Sequence, residues 1–390
     1  KPEEISNEGI PIIRIEQLNN PEKRSEFVNP ESVPDEKLLR DDDLILSWSG
    51  SLGVWWWTDG DAILNQHLYR IIPVSGVNKR YLFYALQWVI PFLKEQMHGS
   101  TMTHITQNAL RTTRIPIPAL SIQQSIADYL DDKLSDIDNM VSKKEELMSY
   151  LSEKENSLIT EAITEGVREY ISHKESGIKL LGEIPYHWDV IINRGLYEEI
   201  DERSEEGSEE LLSVSHKTGV NPRSQMDDVN MFEADSKEGY KLVRPGDLVI
   251  NTMWAWMGAA GVSDIKGIVS PSYNVYRPGE ELLPEFVDLL IRSPPYVAEM
   301  GRNSMGVWES RKRLYPSEFL SMKTPVPPIE EQEEIVSSVQ DSLRSIEKTN
   351  SKLQSSIQLL KERRRSLIDT VITGQIDIPK KQSTAQEQIS

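Results

Sequence analysis

No cysteine occurs in the 390 residues. That excludes a disulfide framework, a thiol nucleophile and a cysteine metal site, and it suits a cytoplasmic setting. No run of 18 apolar residues is present, so no membrane-spanning helix is expected. The six histidines show no metal-ligand spacing. No strand–glycine loop–helix motif for phosphates occurs either, which excludes a nucleotide-driven motor. Basic residues are short: 43 Lys and Arg face 62 Asp and Glu, for a net charge of −19. Phosphate contact needs Lys and Arg, so this balance argues against indiscriminate nucleic-acid binding. A mean hydropathy of −0.45 suits modest cores and a long exposed helical section.

The charge is unevenly spread. Eight acids crowd between Glu198 and Glu210, whereas Arg292 to Lys323 holds six basic against three acidic residues. Local cationic patches therefore survive in an acidic chain.

One stretch occurs twice. Pro116–Thr164 and Pro325–Thr373 align without a gap at a constant shift of 209, with 16 of 49 positions identical. The identities include Pro116/Pro325, Pro118/Pro327, Gln123/Gln332, Leu134/Leu343 and Leu151/Leu360. Such a match implies one structural unit used twice. Each copy starts at a Pro-x-Pro and continues as a helix, because Pro fixes φ and donates no N–H. Apolar residues then recur at steps of four and three. They are Leu130, Leu134, Ile137, Val141, Met148, Leu151 and Leu158 in the first copy. The second copy has Val339, Leu343, Ile346, Leu353, Ile357, Leu360 and Leu367. This narrow stripe is a coiled-coil seam, interrupted at Lys144, Glu155, Asn350 and Arg364. A rod of some 45 residues, roughly 65 Å long, needs a partner for its stripe, and its own repeat is the nearest.

The parts before each helix are also related. Arg40–Asp43 followed by LILS parallels Arg244–Asp247 followed by LVIN, and Leu68-Tyr69-Arg70 parallels Val275-Tyr276-Arg277. A helical pattern and a polar loop follow in both. Lys174–Asp189 reads as a linker with Gly and Pro punctuation. The second part has 59 residues ahead of Asp247 from Trp188, the first only 42 ahead of Asp43. Roughly 15–20 residues are therefore expected to precede Lys1, a difference in spacing between two copies of one unit.

In this arrangement the chain resembles the specificity subunit of type I restriction–modification systems over nearly its whole length. The duplicated PxP…Q…I helix starts carry the resemblance. So do LLSVSHKTGV…GDLVINTMWAWMG…GIVSPSYNVYRP, DLILSWSGSLG and HGSTMTHIT. The resemblance implies an α+β fold with two target recognition domains, each followed by a long helix, and the two helices pairing as an antiparallel coiled coil. The expected divisions are a first recognition domain at 1–116, a spacer helix at 117–170 and a linker at 171–187. A second recognition domain at 188–324, a second spacer helix at 325–378 and a disordered tail at 379–390 follow. Each recognition domain would read one half of a bipartite double-stranded DNA site, with the helices setting the spacing. Two modification (methyltransferase) subunits would dock on the chain, and restriction subunits would join them. The chain itself would have no catalytic site, metal or cofactor, and S-adenosylmethionine, ATP and Mg2+ would belong to the partner subunits. The alternative is a protein-binding coiled-coil scaffold with degenerate recognition domains.

On that reading the DNA-contacting candidates of the first domain are Ser100, Thr101, Thr103, His104 and Arg111. Those of the second are Lys217, Arg223, Arg302, Asn303, Ser304, Ser310, Arg311, Lys312 and Arg313. Hydroxyls, amides and guanidinium groups suit phosphates and base edges. Ser47, Ser49, Ser51, Asn251 and Thr252 are candidates for the lining of the reading surface. Trp55, Trp56, Trp57, Trp254 and Trp256 suit base stacking, yet such residues more often build a core or a protein interface. Ser293-Pro294-Pro295-Tyr296 mimics an amino-methyltransferase loop, but with no glycine-rich cofactor loop it reads as paired prolines that end a helix.

Overall fold

The computed structural model describes residues 5–6, 9–20, 23, 26–29, 37–97, 105–168, 172–216, 218–225, 236–306, 308 and 311–378. The chain forms two compact units. One comprises residues 1–145 and 354–390, the other residues 146–353. Each unit thus holds a globular part and half of each long helix.

In the first unit, five strands lie in the order Ile5–Ser6, Glu26–Val28, Ile10–Ile13, Ala62–Leu64 and Leu38–Leu39. Only Ile10–Ile13 with Ala62–Leu64 is a parallel pair. A second, antiparallel sheet places Leu44–Ser47 between Val54–Trp56 and Leu68–Ile71. All four residues of Leu44–Ser47 are buried, which is why this strand reads as a continuous apolar run rather than an alternating one. The helix Lys79–Met97 lays Tyr81, Tyr84 and Ala85 against Ile126, Leu130, Leu134 and Ile137 of the first long helix and Ile368, Val371 and Ile372 of the second.

The second unit repeats this plan. Its main antiparallel sheet runs Tyr197–Ile200, Tyr273–Pro278, Leu248–Asn251, Ala260–Val262. Leu248–Asn251, again entirely buried, takes the place of Leu44–Ser47. The core gathers Trp188, Leu248, Phe286, Leu290, Tyr296 and Phe319 around Ile159, Ala162 and Ile163 of the first long helix and Ile335 and Val339 of the second.

The first long helix spans Leu120–Glu165 and the second Ile329–Ile372, each shorter at both ends than its expected range. The strand Lys323–Val326 occupies the expected start of the second. Within the first unit the helices are tied by Arg364 to Asp138 at 3.0 Å and Lys361 to Glu145 at 3.4 Å. Numbers rise along one helix as they fall along the other, so the pairing is antiparallel. The stripe residues all face inward: Leu130, Leu134, Ile137, Val339, Ile346, Leu353 and Ile357 are buried, and the other seven are half-buried. Toward the globular parts the buried face widens to include Ile126, Ala127, Ile159 and Ile163, because there the helices pack on a core and not only on each other.

The expected linker is folded. His173–Glu175 and Glu183–Pro185 form a hairpin, and Ile178, Leu181 and Ile184 enter the core of the second unit. Gly177 and Gly182, at φ 67° and 79°, supply the left-handed turns that bring these apolar residues inward. The disordered tail expected at 379–390 lies outside the described residues.

One buried side chain fastens each helix to its globular part. Gln123 accepts from the backbone N–H of Asn78 at 2.7 Å and donates to the carbonyls of Gly76 at 3.1 Å and Pro118 at 2.7 Å. Gln332 accepts from the N–H of Leu283 and donates to the carbonyls of Glu281 and Pro327, all at 2.8 Å. Both side chains are fully buried, and each uses both amide hydrogens and its oxygen. Asn78 and Leu283 immediately precede the helices Lys79–Met97 and Pro284–Arg292, so the same clamp recurs at the same place. A second repeated device sits at the sheets: Asp43 and Asp247 cap the turns that begin at Arg40 and Arg244 and face Arg70 and Arg277.

Replacing Gln332 by Leu removes three hydrogen bonds and leaves the buried Pro327 carbonyl without its donor, so the unfolding free energy is expected to fall by about 1–3 kcal/mol. Gln358→Leu, on an exposed helix face, is expected to change it by under about 0.5 kcal/mol. Urea unfolding of the full chain measures both, and equal small effects would deny the clamp its role.

Candidate nucleic-acid interface

In the second unit two neighbouring loops form the candidate surface. The first leaves the buried end of Leu248–Asn251. Asn251, itself buried, accepts from the N–H of Met253 at 3.2 Å. A single helical turn, Ala255–Met257, is closed by Gly258 at φ 88°. This turn buries Ala255 and leaves Trp254 and Met257 47 % and 42 % exposed. The second loop follows the helix Pro294–Asn303. Met305 and Arg313 exchange two N–H to carbonyl bonds of 2.8 Å, closing the loop at its base. The N–H of Leu314 donates to the carbonyl of Thr252 at 3.0 Å, and the Lys312 ammonium lies 5.8 Å from the centre of the Trp256 ring. The two loops are thereby held side by side. Trp254 and Met257 are exposed on the first loop, and Met305, Trp308 and Arg311 on the second.

The candidates read from the sequence separate into two groups here. Arg302 grips both carboxylate oxygens of the buried Glu299, at 3.0 and 3.1 Å from its Nε and through a further bond from its terminal nitrogen. Asn303 donates to the Glu299 carbonyl and Ser304 to the Met300 carbonyl, both at 2.8 Å. These three side chains finish the helix. Arg313 is half-buried and donates to the Lys312 carbonyl. Arg311 is exposed, and among the described residues neither it nor Lys312 has an ion-pair partner. Arg223 is half-buried on a single turn, Arg223–Gln225, beside Tyr273. Lys217 and Ser310 lie outside the described residues.

In the first unit Ser100, Thr101, Thr103 and His104 also lie outside the described residues. Immediately after them, Ile105 donates its N–H to the carbonyl of Trp48 at 2.8 Å, and Thr106 caps the short helix Gln107–Thr112, which carries the exposed Arg111. Trp48 stacks on Tyr69. Ser47 is fully buried and bonds the Ser51 carbonyl and the Gly53 N–H, the counterpart of Asn251. Ser49 pairs with His67 at 2.9 Å, and Thr252 with the carbonyl of Ser272. Trp57 is buried and Trp56 packs edge-on against Phe83. Tyr296 is buried too, its hydroxyl between Thr324 and Asn193 and its pKa raised by that burial. The SPPY stretch is thus a break between two helices with its tyrosine in the core. Trp308 and Met305 are the surface residues that sequence patterning did not single out. The available signal was a tryptophan just after a glycine and just before a cationic run.

The carboxyl of Glu299 is held below its usual range, first by the hydrogen bonds from Arg302. A carboxyl depressed in the folded state stabilises it above the ordinary carboxylate pKa, and this is lost as pH falls through the depressed value. Arg302→Ala is therefore expected to lower stability near neutral pH, with the two proteins converging in acid. Denaturation at both pH values reads this, and an unchanged melt with lost DNA binding would return Arg302 to the contact set.

Comparison with known proteins gives a consistent picture. Residues 1–149 match the family described as Type I restriction modification DNA specificity domain. The MjaVIII type I restriction enzyme specificity subunit of Methanocaldococcus jannaschii is 24 % identical over 360 residues, covering 88 % of this chain and 81 % of that protein. The EcoBI specificity subunit of Escherichia coli is 22 % identical, covering 96 % and 82 %. A solved chain from a study of type I R-M complex assembly and conformational transition shares the fold, with a TM-score of 0.62 at 15 % identity over 90 % of this chain and 87 % of that one. Over most of its length the chain is similar to the specificity subunits of type I restriction–modification systems.

Proposed function

We propose that each globular part reads one half of a split, asymmetric double-stranded DNA site, and that the paired long helices set the spacing between the halves. The observation that carries this is the internal duplication: the same strand pair, Asp–Arg contact and glutamine clamp are built twice. Two readers related by one repeated plan suit a bipartite site, whose half-site separation then follows from geometry. As a specificity subunit the chain recognises DNA sequence and has no catalytic site of its own. Such subunits work in complexes with DNA and other subunits of the system. On our reading, two modification subunits dock on the helices and restriction subunits join them. S-adenosylmethionine, ATP and Mg2+ bind those partners, and the assembly acts in the cytoplasm. Among the described residues no helix is long and apolar enough to cross a membrane.

The test is methylome sequencing of cells that make the full chain with its cognate modification subunit. A methylated motif interrupted by a fixed gap, and lost without this chain, is the expected result. Unchanged methylation with the subunits still co-purifying would favour the scaffold reading, to which the net charge of −19 lends support. For the purified complex, Arg311→Ala and Lys312→Ala are each expected to reduce the slope of log affinity against log salt by about 1. An unaltered slope would remove these residues from the phosphate contacts.

A further inference from the structure

We propose that Trp308 is a wedge that enters the base stack of the half-site read by the second globular part. The proposal rests on the DNA-reading function above and adds to it a residue and a mode of readout.

The loop that carries Trp308 is braced. Its base is the double hydrogen-bonded contact of Met305 with Arg313, and inside it the N–H of Arg311 donates to the Trp308 carbonyl at 2.8 Å. Gly306 stands at φ 148°, and a Cβ there would come within 2.6 Å of the Arg311 carbonyl oxygen. No other residue fits that position without reopening the loop. The loop is also fastened to its neighbour through Leu314 and Thr252. Within this loop Trp308 is 68 % exposed and Met305 57 % exposed. Indole placed in water forgoes a large burial gain, so a brace that keeps it there points to a ligand.

The surroundings indicate which ligand. Arg311, Lys312 and Arg313 follow within five residues of Trp308, an apolar tip next to a cationic arm. Duplex DNA offers the complementary pair of surfaces, phosphates beside an apolar stack. Proteins that insert a large side chain between base steps bend the duplex and gain contact for the arm that follows. Specificity then includes the ease with which a step opens, at base pairs the side chains never touch. Trp254 and Met257, on the adjoining loop, are exposed apolar side chains as well.

The experiment uses the full chain assembled with its modification subunits, on the motif found by methylome sequencing. 2-Aminopurine is moved step by step through the second half-site, omitting the methylated adenine, where base flipping would also raise the signal. Binding is expected to raise fluorescence at one step with the natural protein and with Trp308→Phe, and not with Trp308→Ala. Affinity is expected to fall about tenfold in Trp308→Ala with the salt slope unchanged, and to recover on a duplex mismatched at that step. Trp308 is exposed, so the variant should melt like the natural protein. Equal fluorescence and affinity for Trp308→Ala would overturn the wedge while leaving the reading function intact. Loss of the modification subunits on Trp308→Ala would overturn it in favour of a protein contact. Failure of the natural complex to bind the motif would instead overturn the reading function itself.

Discussion

A single buried amide at the head of each long helix is the constraint on which the architecture depends. Gln123 and Gln332 each bond three backbone groups, two of them just before a helix of the globular part. Inside a core an orphaned backbone group costs more than a formed bond returns, so these contacts hold the helix start in one orientation. The Pro-x-Pro ahead of each glutamine adds stiffness and leaves its carbonyl as the group to be bonded. Because the clamp is the same in both copies, each long helix leaves its globular part in the same way.

From that anchor the helices divide their work along their length. Near the globular parts their buried faces widen and become core; between, they narrow to the stripe and meet each other. Polar residues in the stripe are handled case by case. Arg364 is half-buried and reaches both Asp138 and Gln87. The Asn350 side-chain oxygen is buried without a partner among the described residues, a cost that favours one register over its alternatives.

The candidate reading surface follows a related logic. Buried polar side chains at strand ends, Ser47 and Asn251, shape the loops and do not face a ligand. Cations at the end of a helix are drawn to its own carboxylate, as Arg302 is to Glu299. What remains exposed is a smaller set, Trp308 with Arg311, held by backbone bonds that composition does not reveal.

Much of the architecture was legible without coordinates. The shift of 209 residues, the spacing of Leu130, Leu134 and Ile137 and of their counterparts, and the LILS and LVIN runs specify two copies of strand sheet and long helix, because periodicity of burial is written directly in residue order. The glutamine pair was visible as an identity but not as a clamp, since its partners lie some fifty residues earlier. Only tertiary structure decided that the hairpin from His173 to Pro185 packs Ile178, Leu181 and Ile184 into the core, since Gly and Pro punctuation marks turns in linkers and hairpins alike. It alone separated Arg302 from Arg311. Both are arginines in one basic stretch, and their roles diverge on whether a carboxylate comes within three ångströms, which is a matter of packing that sequence order does not carry.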